Sequence, residues 1–129
     1  MKTIYIDHDE KYNGNGSLNR PFNTIEELYG LQIEHPVTIL IKKGNVFHFS
    51  LTDLNGIFYN NTSEKSFLSS YGEGSNPVWI TKSKNESHIH TNKIQNVTIT
   101  NMTSMHMKVE PKSLIFLVYL QVISQEIVT

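Results

Sequence analysis

Short β-branched segments separated by polar turns run through this chain of 129 residues. Isoleucine and valine together supply 22 residues, asparagine, serine and threonine supply 36, and alanine, the best helix former, is absent. β-Branched side chains fit a pleated sheet, whereas asparagine and serine bond to nearby backbone at turns. The sequence therefore predicts a mainly β architecture of short strands with little helix.

The predicted strands are unevenly spaced, as expected for the coils of a solenoid joined by loops of different lengths. They are Val37–Lys42, 67–70, Val78–Thr81 and 97–100, with a weaker segment at 105–109. The polar residues between the second and third strands also suit a hairpin loop. An antiparallel pairing of these two strands is therefore the alternative to a parallel arrangement.

One short helix is predicted over residues 24–29. Asn23 is a good N-cap residue, and Ile25 and Leu28 lie on one face of the helix. Gly30 is able to end the helix in the left-handed region of backbone conformation.

Charge and composition argue against several classes of partner. The chain has 11 basic and 12 acidic residues, a net charge of -1, which gives no electrostatic reason to expect nucleic acid. No apolar run approaches the roughly 20 residues that span a bilayer, and the acidic N-terminal segment does not match a secretory signal. Without cysteine there is neither a disulfide nor a thiolate metal site, and no cofactor motif is present.

Three segments form an ordered set of motifs. Residues 14–28 read GNGSLNRPFNTIEEL, residues 39–47 read ILIKKGNVF, and residues 69–78 read SSYGEGSNPV. In this order they resemble the N-terminal cap and first coils of right-handed parallel β-helix proteins of the pectate-lyase-like superfamily. The resemblance covers residues 3–82.

The resemblance implies a partial or short right-handed parallel β-helix with one short N-terminal capping helix in residues 1–112, followed by an apolar C-terminal segment, 113–129. It implies a carbohydrate-recognising module, similar to the N-terminal part of a phage tailspike or of a polysaccharide lyase or hydrolase. The partner would be a polysaccharide or surface glycan, and the location a virion tail or a bacterial cell surface. A non-catalytic structural or attachment β-helix and an inactive truncated fragment are the alternatives that stay open.

Tyr71 and Trp79 are the candidate substrate-binding residues, because aromatic faces pack against the C–H groups of sugars. Packing in the core or cap is the alternative for both. The acidic residues are scattered, so no carboxylate pair suggests glycoside hydrolysis, and no residue receives a catalytic or metal-binding role. We expect no enzyme activity from this chain alone, although the resembling family includes lyases and hydrolases.

Two polar clusters are weaker candidates. Asp7, Asp9 and Glu10 would form a calcium or substrate site, or else a solvated loop or helix-like cap. His88 and His90 would lie on one face of a strand, where they would bind a metal or simply face solvent.

Two further expectations concern turns and the C-terminal segment. Asn96 and Asn101 suit coil turns, where stacked amides form hydrogen-bonded ladders. The apolar residues 113–120 would be a buried final strand, a capping helix or an unnatural terminus, and residues 114–123 are apolar enough to cover the end of a solenoid. Because an uncovered solenoid end exposes apolar surface and a strand edge, the chain is expected to form homo-oligomers, for example a trimer, or to aggregate.

Overall fold

The computed structural model describes residues 2–48, 62–81, 96–109 and 116–127, with 81, 104–109 and 116–127 described by their backbone alone. The described chain is mainly β, and its one helix is a short 3₁₀ helix, Ile25–Gly30. The strands are β1 (Lys2–Ile6), β2 (Val37–Lys42), β3 (Val46–His48), β4 (Ser66–Tyr71), β5 (Val78–Thr81), β6 (Val97–Val109) and β7 (Phe116–Ile127).

The strands form one curled sheet in the order β1-β2-β4-β6-β5-β3, and β7 adds to the free side of β6. Every pairing among β1 to β6 is parallel, whereas β7 runs antiparallel to β6. The first part of β6 pairs with β4 and its second part pairs with β5. The sheet therefore has two flanks that meet at a bend: the first holds β1, β2, β4 and the start of β6, and the second holds β3, β5 and the rest of β6.

Residues with positive φ make the bend between the two flanks. Gly44 (φ 89°) lies between β2 and β3, Gly74 (φ 117°) lies between β4 and β5, and Asn101 (φ 56°) bends β6 itself. Positive φ is favourable for glycine and tolerated by asparagine, which explains these residue types. Backbone hydrogen bonds continue around the bend, because the carbonyl of Asn45 accepts from Val78 N at 2.8 Å.

The predicted parallel direction is confirmed. Residues 38–42 pair in parallel register with 67–71, and β5 pairs with β3 and β6 rather than with β4. The hairpin alternative is wrong because the connection from β4 to β5 crosses the bend and carries the chain from one flank to the other.

Aliphatic side chains from successive strands align inside the curl. Ile4, Ile39, Leu68 and Ile99 are neighbours in register, and all four are buried. Parallel pairing places like positions side by side, so the alternation along each strand becomes continuous apolar rows across the sheet. Burial of each such side chain contributes about 1.5–3 kcal/mol, which makes these rows the main source of stability.

The helix prediction is correct in place but wrong in detail. Thr24 rather than Asn23 is the N-cap, and its hydroxyl accepts from Glu26 N at 3.2 Å. Gly30 has no left-handed conformation, and the C-cap is the extended residue Leu31. Residues three apart eclipse in a 3₁₀ helix, so Ile25 and Leu28 bury against the core from a single line of the helix.

A glycine-containing loop, residues 7–22, covers the outer edge of β1. Tyr5 N donates to the carbonyl of Gly16 at 2.8 Å, and Phe22 N donates to the carbonyl of Tyr5 at 3.0 Å. Phe22 also forms a parallel bridge with Ile6. The loop thus satisfies backbone groups that an open edge strand would expose.

The C-terminal segment supplies a strand, one of the three outcomes that the sequence left open. β7 pairs with β6 from Val97↔Ile127 to Val109↔Phe116, with a register shift between Ile99 and Met102. Asn101, at the bend of β6, donates from Nδ2 to Ser69 Oγ at 3.3 Å, and Asn96 donates to Thr62 O at 2.8 Å. Asn96 lies at a turn and Asn101 at the bend of β6, where the amides donate to a carbonyl and to a hydroxyl, respectively.

Gly14→Ala is expected to lower the free energy of unfolding by about 1–3 kcal/mol through overpacking. A Cβ at this position would lie 2.1 Å from the carbonyl oxygen of Arg20, which is backbone and has little freedom to move. The matched control is Gly30→Ala, where no atom lies within 4 Å. Urea denaturation measures both variants, and equal stabilities would contradict the close packing of this loop.

Candidate functional site

A buried amide joins the end of β1 to the bend between β2 and β3. Asn45 is 1 % exposed, and its Nδ2 donates to Asp7 Oδ1 at 3.0 Å and to Asp9 Oδ2 at 3.4 Å. Its Oδ1 accepts from His8 N at 2.6 Å and lies 3.0 Å from His8 Nδ1. The amide therefore uses both donors and both acceptor positions, which favours a structural role for Asn45.

His8 extends this network to the 3₁₀ helix. Its Nε2 accepts from Ile25 N at 3.3 Å, so the ring is neutral and its proton lies on Nδ1, from which it is donated to Asn45 Oδ1. The ring stacks on Phe47 with centroids 4.8 Å apart and planes 7° apart. Burial lowers the pKa of His8 below 6.5, although Asn45 and the nearby carboxylates of Asp7 and Asp9 oppose this shift.

Asp7 is a buried carboxylate that keeps its charge. Burial by itself raises the pKa of Asp7, but hydrogen bonds from Asn45 and from Asp9 N, together with the Lys42 ammonium, hold the pKa below 3.8. Lys42 Nζ lies 3.5 Å from Asp7 Oδ2. The surrounding groups therefore stabilise the ionised form of this carboxylate.

The acidic cluster 7–10 is not a solvated loop throughout, because Asp7 is 4 % exposed while Asp9 and Glu10 are exposed. Within the described residues, no group of three or more histidine and acidic side chains could hold a metal ion. Both carboxylate oxygens of Asp7 are occupied by Asn45, Asp9 N and Lys42, which gives this residue a structural role.

The convex side of the first flank forms a second, very different surface, which we name the outer face. Its residues alternate with the buried aliphatic rows and therefore point away from the core. The outer face comprises Thr3, Tyr5, Thr38, Leu40, Lys42, Phe67, Ser69, Tyr71, Thr98 and Thr100.

Hydroxyl groups and aromatic rings dominate the outer face. Ser69 and Thr100, on adjacent strands, have their oxygens 2.9 Å apart. The rings of Tyr5 and Tyr71 meet edge to face with centroids 5.0 Å apart, although β2 separates their strands. Apolar rings beside hydroxyl donors and acceptors suit a ligand that combines C–H faces with many hydroxyl groups.

Tyr71, a predicted site residue, lies half-buried on this face. Burial raises the pKa of Tyr71 to about 12, and the negative charges of Asp7 and Glu10 act in the same direction. The phenol is therefore neutral at physiological pH and able to donate or accept a hydrogen bond.

Trp79, the other predicted site residue, lies elsewhere. It is 1 % exposed, belongs to β5 on the second flank, and pairs in register with Phe47. The structure does not bring Trp79 and Tyr71 together, and Trp79 occupies the core position that the sequence left as its alternative. Of the pair, Tyr71 is the residue with surface for a ligand.

A pocket of about 500 Å³ lies at the amino ends of β1, β2 and β4. Ile4, Leu31, Ile33 and Pro36 supply apolar lining, and Lys2, Gln32, Glu34, His35 and Glu64 supply polar lining. His35 Nδ1 lies 2.9 Å from Ser66 Oγ, which also accepts from Val37 N at 2.9 Å. The serine hydroxyl is thereby committed to joining the starts of β2 and β4.

His88 and His90 lie outside the described residues. Sequence reasoning did not place Tyr5 on the outer face, nor His8 and Asn45 in the buried hydrogen-bond network. The signal for Tyr5 was its alternation with Ile4 and Ile6, which assigns it to the outward side of β1. No local pattern marks Asn45 as the partner of residues so far back in the chain.

Comparisons with known proteins give a likeness of fold. No family model matches the chain, and no curated protein matches it. The structure is similar to that of the GH136 lacto-N-biosidase from Eubacterium ramulus, with a TM-score of 0.59 and 11% sequence identity over 87% of this chain. The match covers 21% of that protein, so this chain spans about a fifth of its length. No helix in the described part of the chain is long and apolar enough to cross a membrane.

Asn45→Ala is expected to lower the free energy of unfolding by about 2–3 kcal/mol, because Asp7 would lose a buried donor and His8 its acceptor. Asn13→Ala is the matched control, since its side chain is exposed and accepts a single bond, from Asn23 N. Chemical denaturation at neutral pH compares the two, and similar losses would contradict the central position of Asn45.

Stability is expected to fall as the pH drops below 6.5, the ordinary pKa of histidine. The folded state resists protonation of His8, so the unfolded chain binds more protons in this range and the free energy of unfolding rises with pH. The corresponding loss from Asp7 begins only below pH 3.8 and is therefore separate. His8→Gln should flatten the pH dependence of the melting temperature, whereas the exposed His48→Gln should retain it. Unchanged slopes in His8→Gln would exclude His8 as the responsible group.

Proposed function

We propose that this chain is a carbohydrate-recognising module in which the outer face binds an extended glycan. The observation that carries the proposal is the rows of hydroxyl and aromatic side chains on successive parallel strands of a rigid sheet. Equivalent positions recur at the spacing of neighbouring strands, about 4.8 Å, so a polymer crossing the strands meets similar chemistry at each step.

We further propose that the curled sheet belongs to a right-handed parallel β-helix of the pectate-lyase-like type. The two flanks, the bends at equivalent positions and the hydrogen bonds that continue around them support this assignment. Parallel connections within a sheet are right-handed in about 98% of cases, which supports the handedness. The likeness to a lacto-N-biosidase agrees with a carbohydrate-related role but, at 11% identity, supports the fold alone.

The biological setting is a proposal carried by the resemblance. A module of this kind would belong to a polysaccharide-active protein or tailspike at a virion tail or bacterial surface. Self-association into a homo-oligomer such as a trimer is part of the same proposal, with β7 as the apolar segment involved. The alternative is a structural or attachment β-helix without glycan affinity. The absence of binding in the experiment below would favour this alternative.

Tyr71→Ala is expected to weaken glycan binding by a factor between about 2 and about 12, because an aromatic contact contributes roughly 0.5–1.5 kcal/mol and 1.4 kcal/mol corresponds to a factor of ten. Tyr12→Ala is the control, since Tyr12 is 75% exposed on the N-terminal loop and lies off the outer face. The measurement is affinity electrophoresis through gels that contain neutral or acidic polysaccharides. Failure of the wild-type chain to bind any of them, or equal retardation of both variants, would contradict the proposal.

A further inference from the structure

The outer face is nearly devoid of net charge. Lys42 is its one charged residue, and its ammonium is already 3.5 Å from the buried carboxylate of Asp7. The remaining members are hydroxyl-bearing, aromatic or aliphatic. A ligand that crosses this face therefore meets no uncompensated cation among the described side chains.

Among the residues that the structure describes, the borders of the face carry no excess of cations either. At the carboxyl ends of the strands, Lys42 and Lys43 are opposed by Asp7, Asp9 and Glu10. At the amino ends, the charges of Lys2 and Lys65 are balanced in number by the carboxylates of Glu34 and Glu64. Both glutamates line the same pocket as Lys2. The described charges therefore produce a neutral to negative electrostatic potential over the face. This agrees with the way in which Asp7 and Glu10 help to raise the pKa of Tyr71.

Recognition of an acidic polysaccharide has the opposite requirement. A polyuronate presents one carboxylate at each sugar, and each carboxylate needs a cationic or strong hydrogen-bond donor to replace its hydration. Here an approaching carboxylate would find Lys42 already paired with Asp7, and the negative charge of Asp7 would repel it.

We propose that the outer face selects uncharged glycans and discriminates against polyuronates. This inference rests on the proposed function and specifies its ligand class. Uncharged sugars need only hydrogen bonds and C–H contacts, which Thr38, Ser69, Tyr71 and their neighbours supply. Lys42 is one of the groups that keep Asp7 ionised, after Asn45 and Asp9 N, and its ammonium is already paired with that carboxylate.

The test compares retardation of the wild-type chain by galactan, an uncharged polysaccharide, with retardation by polygalacturonate at low and physiological salt. We expect binding to galactan that is insensitive to salt, and binding to polygalacturonate that is at least about tenfold weaker. Equal or tighter binding to polygalacturonate would overturn the inference while leaving glycan recognition intact. Binding to neither would overturn the inference together with the proposed function.

A charge placed on the face provides the second arm. Thr3→Lys adds a cation to the outer face at an exposed position whose register neighbour, Thr38, carries no charge, and we expect it to increase polygalacturonate binding about tenfold at low salt. Asn19→Lys adds the same charge to an exposed position of the N-terminal loop and should leave this binding unchanged. An equal gain in both variants would show that polygalacturonate does not bind at this face, and would overturn the inference.

Discussion

The N-terminal part of the fold depends on the hydrogen bonds of the Asn45 side-chain amide. It lies where β2 bends into β3, yet its partners come from the segment that follows β1. Through His8, the same amide reaches the backbone of the 3₁₀ helix that closes the apolar interior. One buried side chain thus joins a strand end, a bend and a helix. Loss of any one bond would leave polar atoms without water or partner, so the network holds a single geometry.

Parallel register converts the alternation of apolar and polar residues along each strand into a buried apolar side and a polar outer face of the sheet. Inward positions align into rows such as Ile4, Ile39, Leu68 and Ile99, which exclude water. Outward positions align into rows of hydroxyl and aromatic groups. Because both sets come from the same strands, a slip of one residue would exchange them, and the apolar rows therefore fix the arrangement of the proposed binding face.

Local chemistry made the strands and the turns between them predictable, whereas the parallel direction was predicted from the resemblance to β-helix proteins. Strands of β-branched residues and turns at glycines with positive φ depend on only a few neighbouring residues. The strand Val37–Lys42 and the turn at Gly44 can therefore be predicted from the sequence. The helix at Ile25–Gly30 was legible in position but not in type, since six residues leave the choice between α and 3₁₀ geometry to packing. The candidate site was harder to predict from the sequence. Tyr71 was predicted as a site residue from its type alone, whereas its contact with Tyr5 and the bond between Asp7 and Asn45 depend on register between distant segments.

The antiparallel direction of β7 has a consequence for growth of the stack. β4 and β5 occupy one side of β6, and β7 pairs along most of the length of the other side. A strand has two hydrogen-bonding sides, so β7 and an additional parallel coil would compete for the same row of backbone groups. Extension of the parallel sheet beyond β6 would require β7 to be displaced. While it stays paired, β7 therefore blocks the addition of a further parallel strand at this edge of the sheet.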